Sequence, residues 1–217
     1  MKSDLQLKQD VMNELNWDPA VNDAEIGVQV EDGVVTLSGH LDSFAEKHAA
    51  QEAVQRIVGV RALAVEIDVR LPDECRRTDA DIGRAVANVF TWNTLIPSDH
   101  IKIEVEHGEV TLTGQVDWHY QRVAAERVVV GLLGVTGVKN ALVLRPQADK
   151  QDLTQRIKEA IERQAVDDAA QVTVTVKNGT VTLGGSLRTW VERESAFNAA
   201  WAAPGVENVV NNIMINL

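Results

Sequence analysis

Three stretches of the chain place an apolar residue at every fourth position: Leu7, Val11 and Leu15; Ile82, Val86 and Phe90; Leu153, Ile157 and Ile161. That spacing keeps each trio on one helical face, so each stretch predicts an amphipathic helix. Asp4 and Asp79 stand just ahead, where a capping side chain satisfies free backbone N–H groups. Beyond each helix the period drops to two. Ile26, Val28 and Val30 alternate with smaller or polar residues, as do Ile101, Ile103 and Val105, and Val172, Val174 and Val176. Each run predicts a half-buried strand. Asp32-Gly33, His107-Gly108 and Asn178-Gly179 follow, where a tight two-residue hairpin demands positive φ. The returning strands are Val35-Thr36-Leu37, Val110-Thr111-Leu112 and Val181-Thr182-Leu183, closed by Gly39, Gly114 and Gly185. A second helix carries Ala50, Ala125 or Ala196, small enough to lie close on a sheet. Gly59, Gly134 or Gly205 is placed to end that helix in a left-handed conformation, and Pro204 stops the third at or before Ala203. A last strand begins with GVRALAVEI, GVTGVKNALVL or GVENVVNNIMI.

The same order recurs at fixed spacing. The hairpin glycines Gly33, Gly108 and Gly179 are 75 and 71 residues apart, and each is followed 26 residues later by Gly59, Gly134 or Gly205. Each is preceded by the same interval by Leu7, Ile82 or Leu153. The chain is therefore a tandem repeat. Its four-residue difference in period falls in the linkers LPDECRRTDAD and RPQADKQD, which carry proline and charge. The expected architecture is α+β: three αββαβ domains at 1–72, 76–146 and 149–217, each a small three-stranded mixed sheet on two helices. Small units with short linkers bury little surface alone and favour contact with their neighbours.

The Gly-x-Val-Thr-Leu-x-Gly hairpin, the helix and the closing PGVENVVNN together resemble the BON domain, three times over nearly the whole chain. The resemblance implies a bacterial protein without enzymatic activity, linked to envelope and osmotic stress, for which phospholipid binding has been suggested. One cytoplasmic member, with an added peptidoglycan-type domain, is associated with potassium. Against that pattern the expectation for this chain is three copies, with no companion domain and no signal peptide. Its first copy also lacks the asparagine that Asn140 and Asn211 supply.

Charge narrows the partners. A formal net charge of −11 argues against nucleic acid, which is bound by neutralising phosphates. It also argues against simple electrostatic docking on anionic lipid. The charge divides unevenly, −9 over residues 1–74, zero over 75–146 and −2 over 147–217. The nearly neutral second and third copies are thus the expected contact surface, and the acidic first copy a solubiliser or weak cation site. The expected partners are a phospholipid or membrane surface or another protein, with a monovalent cation as the alternative. No stretch approaches the ~20 apolar residues of a membrane span. MKSDLQLKQD lacks the pattern of a secretory signal, and Cys75 is the lone thiol. The expectation is a cytoplasmic protein, or a periplasmic one if a leader has been trimmed.

Catalytic chemistry finds no footing. The five histidines do not recur between copies and form no metal-ligand spacing, so exposed or capping roles are expected, with His107 in a turn. No phosphate loop or nucleophile elbow is present. No catalytic residue, metal ligand or cofactor is assigned. The aromatic residues offer more. Trp17 and Trp92 occupy equivalent positions just past the first helix, and recurrence favours a core-capping role. Trp118, Tyr120 and Arg122 open the second helix of the middle copy, and Trp190 lies near the matching place in the third. One reading has one of these rings covering a sheet edge and the others on the surface. The other is a contact patch at a positive helix N-terminus, able to meet a lipid headgroup, an anion or a neighbouring copy.

Overall fold

The computed structural model describes residues 2–145, 153–163, 171–177 and 179–215. The first unit runs α1 (Asp4–Trp17), β1 (Ile26–Glu31), β2 (Val34–Leu41), α2 (Phe44–Gln55) and β3 (Ala62–Val69). The second runs α3 (Asp79–Trp92), β4 (Ile101–Glu106), β5 (Glu109–Val116), α4 (His119–Val130) and β6 (Gly137–Leu144). The third runs α5 (Leu153–Arg163), β7 (Val172–Lys177), β8 (Thr180–Leu187) and α6 (Trp190–Trp201), then β9 (Asn208–Asn211) and β10 (Met214–Ile215).

Each unit has its own mixed sheet with the hairpin's second strand at the centre. β1 pairs antiparallel with β2, and the helical crossover α2 returns β3 parallel to it, Val34 facing Ala62 and Leu41 facing Val69. The second unit repeats this. In the third, the last strand is broken at Asn212–Ile213, so β9 and β10 both lie parallel to β8. Three separate cores result, each built on its α-helical trio: Leu7, Val11, Leu15; Ile82, Val86, Phe90; Leu153, Ile157, Ile161.

The hairpins are tight turns with φ of 49° and 76° at Asp32-Gly33 and 52° and 81° at His107-Gly108. Gly179 has φ 76°, while Asn178 lies outside the described residues. Asp4 and Asp79 are not N-caps. Ser3 and Thr78 cap the helices, accepting from Gln6 and Asp81 N–H. One residue further in, Asp4 reaches across to accept from Asp32 N–H (2.9 Å) and Gly33 N–H (3.1 Å). Asp79 does the same for His107 (3.0 Å) and Gly108 (2.9 Å). The carboxylate thus ties the first helix to the hairpin. Gly59, Gly134 and Gly205 do have positive φ, 111°, 88° and 90°. They do not end the second helix, which stops earlier at Gln55, Val130 and Trp201. They sit in the turn that follows, which hydrogen-bonds back to the hairpin carbonyls of Gly33, Gly108 and Gly179.

Trp17 and Trp92 are 84% and 88% exposed and cap no core. They stand two residues past Leu15 and Phe90, about 200° around the helix from the buried stripe. Recurrence marks the position; the helical angle decides its burial.

The units meet through one repeated contact. Eleven residues after each hairpin glycine, at the first position of the second helix, stand Phe44, His119 and Trp190. Phe44 packs against the core of the second unit. His119 stacks on Trp201 of the third. Trp190 packs against the core of the first, its indole N–H donating to the Val60 carbonyl at 2.8 Å. The contacts run from first to second, second to third and third to first. They are heterologous, head to tail, and they close into a ring.

Candidate functional site

The second helices α2, α4 and α6 are the elements that carry these contacts, and between α4 and α6 the surface opens into a groove of about 490 Å³. Its geometry begins with a local rule that the sequence breaks. Ser43 and Thr189 cap α2 and α6 through hydroxyls that accept from Glu46 and Glu192 N–H at 3.1 Å. The matching residue ahead of α4 is Trp118, which has no such hydroxyl. The Gln121 N–H that such a hydroxyl would hold donates instead to the Trp118 carbonyl at 3.1 Å. The Gln121 side-chain oxygen accepts from the N–H groups of Asp117 (2.9 Å) and Trp118 (3.0 Å), as Glu192 does ahead of α6. Replacing a good cap with an apolar residue typically costs about 1 kcal/mol. Departures from local preference concentrate at functional sites, and here the departure sets an indole at the groove's edge.

The floor is a ring stack. His119 and Trp201, 8% and 6% exposed, lie with centroids 4.7 Å apart and planes within 5°. Phe197 meets both edge-on, and the Arg122 guanidinium lies 5.3 Å from the Trp201 ring centre. Burial, and secondarily the nearby Arg122 charge, pushes the imidazole down to about 4, so His119 is neutral at neutral pH. Burial likewise lowers Arg122, against the attraction of Glu126. Nδ1 of His119 and Nε1 of Trp201 are buried without a hydrogen-bond partner, an expensive condition for polar atoms. Leu95, Trp118, Tyr120, Val123 and Val128 form the apolar walls. Arg127 is the single charged residue of the lining, and no carboxylate joins it.

Of the four residues singled out in the sequence, Trp118 and Tyr120 therefore line the groove, and Arg122 braces its floor. Arg122 is also fixed through its carbonyl, which accepts from Asn140 Nδ2 at 2.9 Å. Trp190 is elsewhere, in the contact between third and first units, with Arg193 4.9 Å over its ring. His119, expected with the other histidines to be exposed or capping, is instead buried in the contact between units, where its counterparts are Phe44 and Trp190. Only counting from the hairpin glycine reveals a shared aromatic position. At the groove's mouth Leu95, Tyr120 and Val123 are exposed. Asn93 lines both the groove and a hollow beside Trp92, so the exposed indole adjoins this rim. Among the described residues no cluster of histidine, cysteine or carboxylate could hold a metal, and no helix is long and apolar enough to cross a membrane.

A chain of three αββαβ units with this hairpin and closing strand is defined by its repeat. It belongs to the BON domain family, whose profile matches residues 3–70, 78–146 and 149–216. It is similar to osmotically-inducible protein Y of Escherichia coli (strain K12), 29% identical over 126 residues. That match spans 56% of this chain and 63% of the relative. Two solved structures of CdsD, a structural protein of the type III secretion system of Chlamydia trachomatis, align at 14% and 13% identity. They cover 100% and 96% of this chain, and 100% and 91% of their own, with TM-scores of only 0.26 and 0.27.

Proposed function

We propose that this chain is a non-enzymatic, stress-associated binding protein that docks on phospholipid surfaces. The observation that carries the reading is the exposed rim of Trp92, Leu95, Tyr120 and Val123 beside the groove. Indole and phenol rings suit the bilayer interface, where one end meets hydrocarbon and the other water. The rim lies on the unit whose formal charges balance, so insertion of rings rather than attraction to anionic headgroups drives the contact. Similarity to an osmotically inducible protein supports the link to stress. The test is flotation with phospholipid vesicles. Weak binding is expected, nearly unchanged between low and moderate salt and reduced by Trp92→Ser and Leu95→Ser. No flotation at any salt would refute the reading. Binding that collapses with moderate salt would replace it with electrostatic docking.

A further inference from the structure

The geometry points to the α4–α6 groove as a binding site for a free small molecule, an aromatic carboxylate with a flat apolar body. Nothing in this depends on a bilayer. The groove holds about 490 Å³, room for roughly sixteen non-hydrogen atoms at a water-like ~30 Å³ each. That suits a fused-ring acid and falls short of a two-chain lipid. It lies within the usual range of small-molecule sites, concave and mostly apolar with a few convergent polar groups.

Aromatic chemistry follows from the walls. Trp118 at the edge and Tyr120 on the first turn of α4 put two aromatic rings into the lining. Stacking adds a preference for flat over flexible apolar bodies.

The anionic group follows from the polar atoms. Trp201 Nε1–H is a donor with no acceptor, and its side chain is more than nine-tenths buried against the groove. His119, nearly as buried, has an unpartnered Nδ1, and neither nitrogen has appreciable accessible surface, so a guest meets them only if the rings shift. Arg127 faces the lining with no hydrogen bond or ion pair among the described residues. The unmatched groups are thus a donor, an imidazole nitrogen and a cation, with no carboxylate in the lining. In a chain of net charge −11, a groove lined by one arginine and no carboxylate selects an anion. The matching groove between α6 and α2 is lined by Glu52, Arg56 and Glu194 and offers no such complement.

Isothermal titration with 2-naphthoate, beside its uncharged analogue 2-naphthamide, tests this on the whole chain. 2-Naphthoate is expected to bind, and the amide at least about tenfold more weakly, the scale of one charge-assisted hydrogen bond. Arg127→Gln should lose about the same factor. Val123→Arg, at an exposed wall position that the fold does not need, should abolish binding, whereas Val191→Arg on α6 should leave it intact. Trp92→Ser, which weakens vesicle flotation, should not change naphthoate affinity, so the two readings fail separately. Three results would overturn the proposal: no heat with folded protein, equal affinity for acid and amide, or binding indifferent to Val123→Arg. Displacement of 2-naphthoate by phospholipid vesicles would also overturn it, assigning the groove to lipid.

Discussion

Two grooves occupy the same place in the repeat and share almost no chemistry. Counting from the hairpin glycine, Gln55, Arg56 and Glu52 on α2 match Trp201, Ala202 and Asn198 on α6. The first set lines the groove facing α6, and the second lines the one facing α4. One groove is apolar with a stacked floor and unpartnered nitrogens. The other joins Trp190 and Val191 to ionisable side chains, with Arg56 paired to Glu14 (3.1 Å) and Asp18 (2.9 Å). Backbone repetition supplies the cleft, and side chains at a few equivalent positions decide whether it is greasy and poised or wet and satisfied.

The contrast should break most sharply at its centre. Trp201→Ala removes a buried ring that both floors the groove and joins second to third units, and should cost about 3–5 kcal/mol in denaturant unfolding. Gln55→Ala, its counterpart, should stay within about 0.5 kcal/mol. Equal losses would show the two contacts to be energetically alike.

Acidification should separate the contacts next. The unfolded chain protonates His119 near the ordinary histidine value of 6.5 and the folded chain only near about 4. Between these values the unfolded state binds more protons, so stability rises with pH. The contribution is complete above the upper value and is lost as pH falls towards the lower, about 2 kcal/mol once partial solvation of the ring is allowed for. His119→Phe, which copies Phe44 of the first unit, should remove that pH dependence from thermal melts. At the other contact, burial raises the Glu194 carboxyl. It binds protons more readily when folded, so its share, smaller because the residue is partly exposed, weakens as pH rises through the carboxylate range.

The smallest effect belongs to Arg56. Its hydrogen bond to Asp18 lowers that carboxyl's pKa, but the partners are solvated. Arg56→Ala should cost only about 0.5 kcal/mol, and moderate salt should erase most of it. A larger, salt-resistant loss would make the polar groove a genuine fastening.

Local order was legible in the sequence because local physics sets it. The helical trios, the alternating strands and the turn dipeptides each need only a few neighbours, and all three units fold around them. The cap positions were read one residue off because Asp4 and Asp79 bond to a hairpin about 28 residues away rather than to their own helix. The groove was half legible. Trp118 and Tyr120 stood out as a cluster, but the ring beneath them, Trp201, is some 80 residues on and comes from the neighbouring unit. Trp190 looked like a member of the same patch and instead plugs the first unit. Contacts between repeats join residues of unlike chemistry, and no periodicity records them.

Ring closure turns copy number into a question of valence. Each unit presents one projecting aromatic and one receiving face, so a row of two leaves one of each unsatisfied and invites end-to-end association into rings or fibres. With three, every valence is met inside one chain. The short linkers hold the last pair at the millimolar effective concentrations of tethered partners. A fourth unit joined to this row would meet a closed circle, with no open face among the first three to receive it.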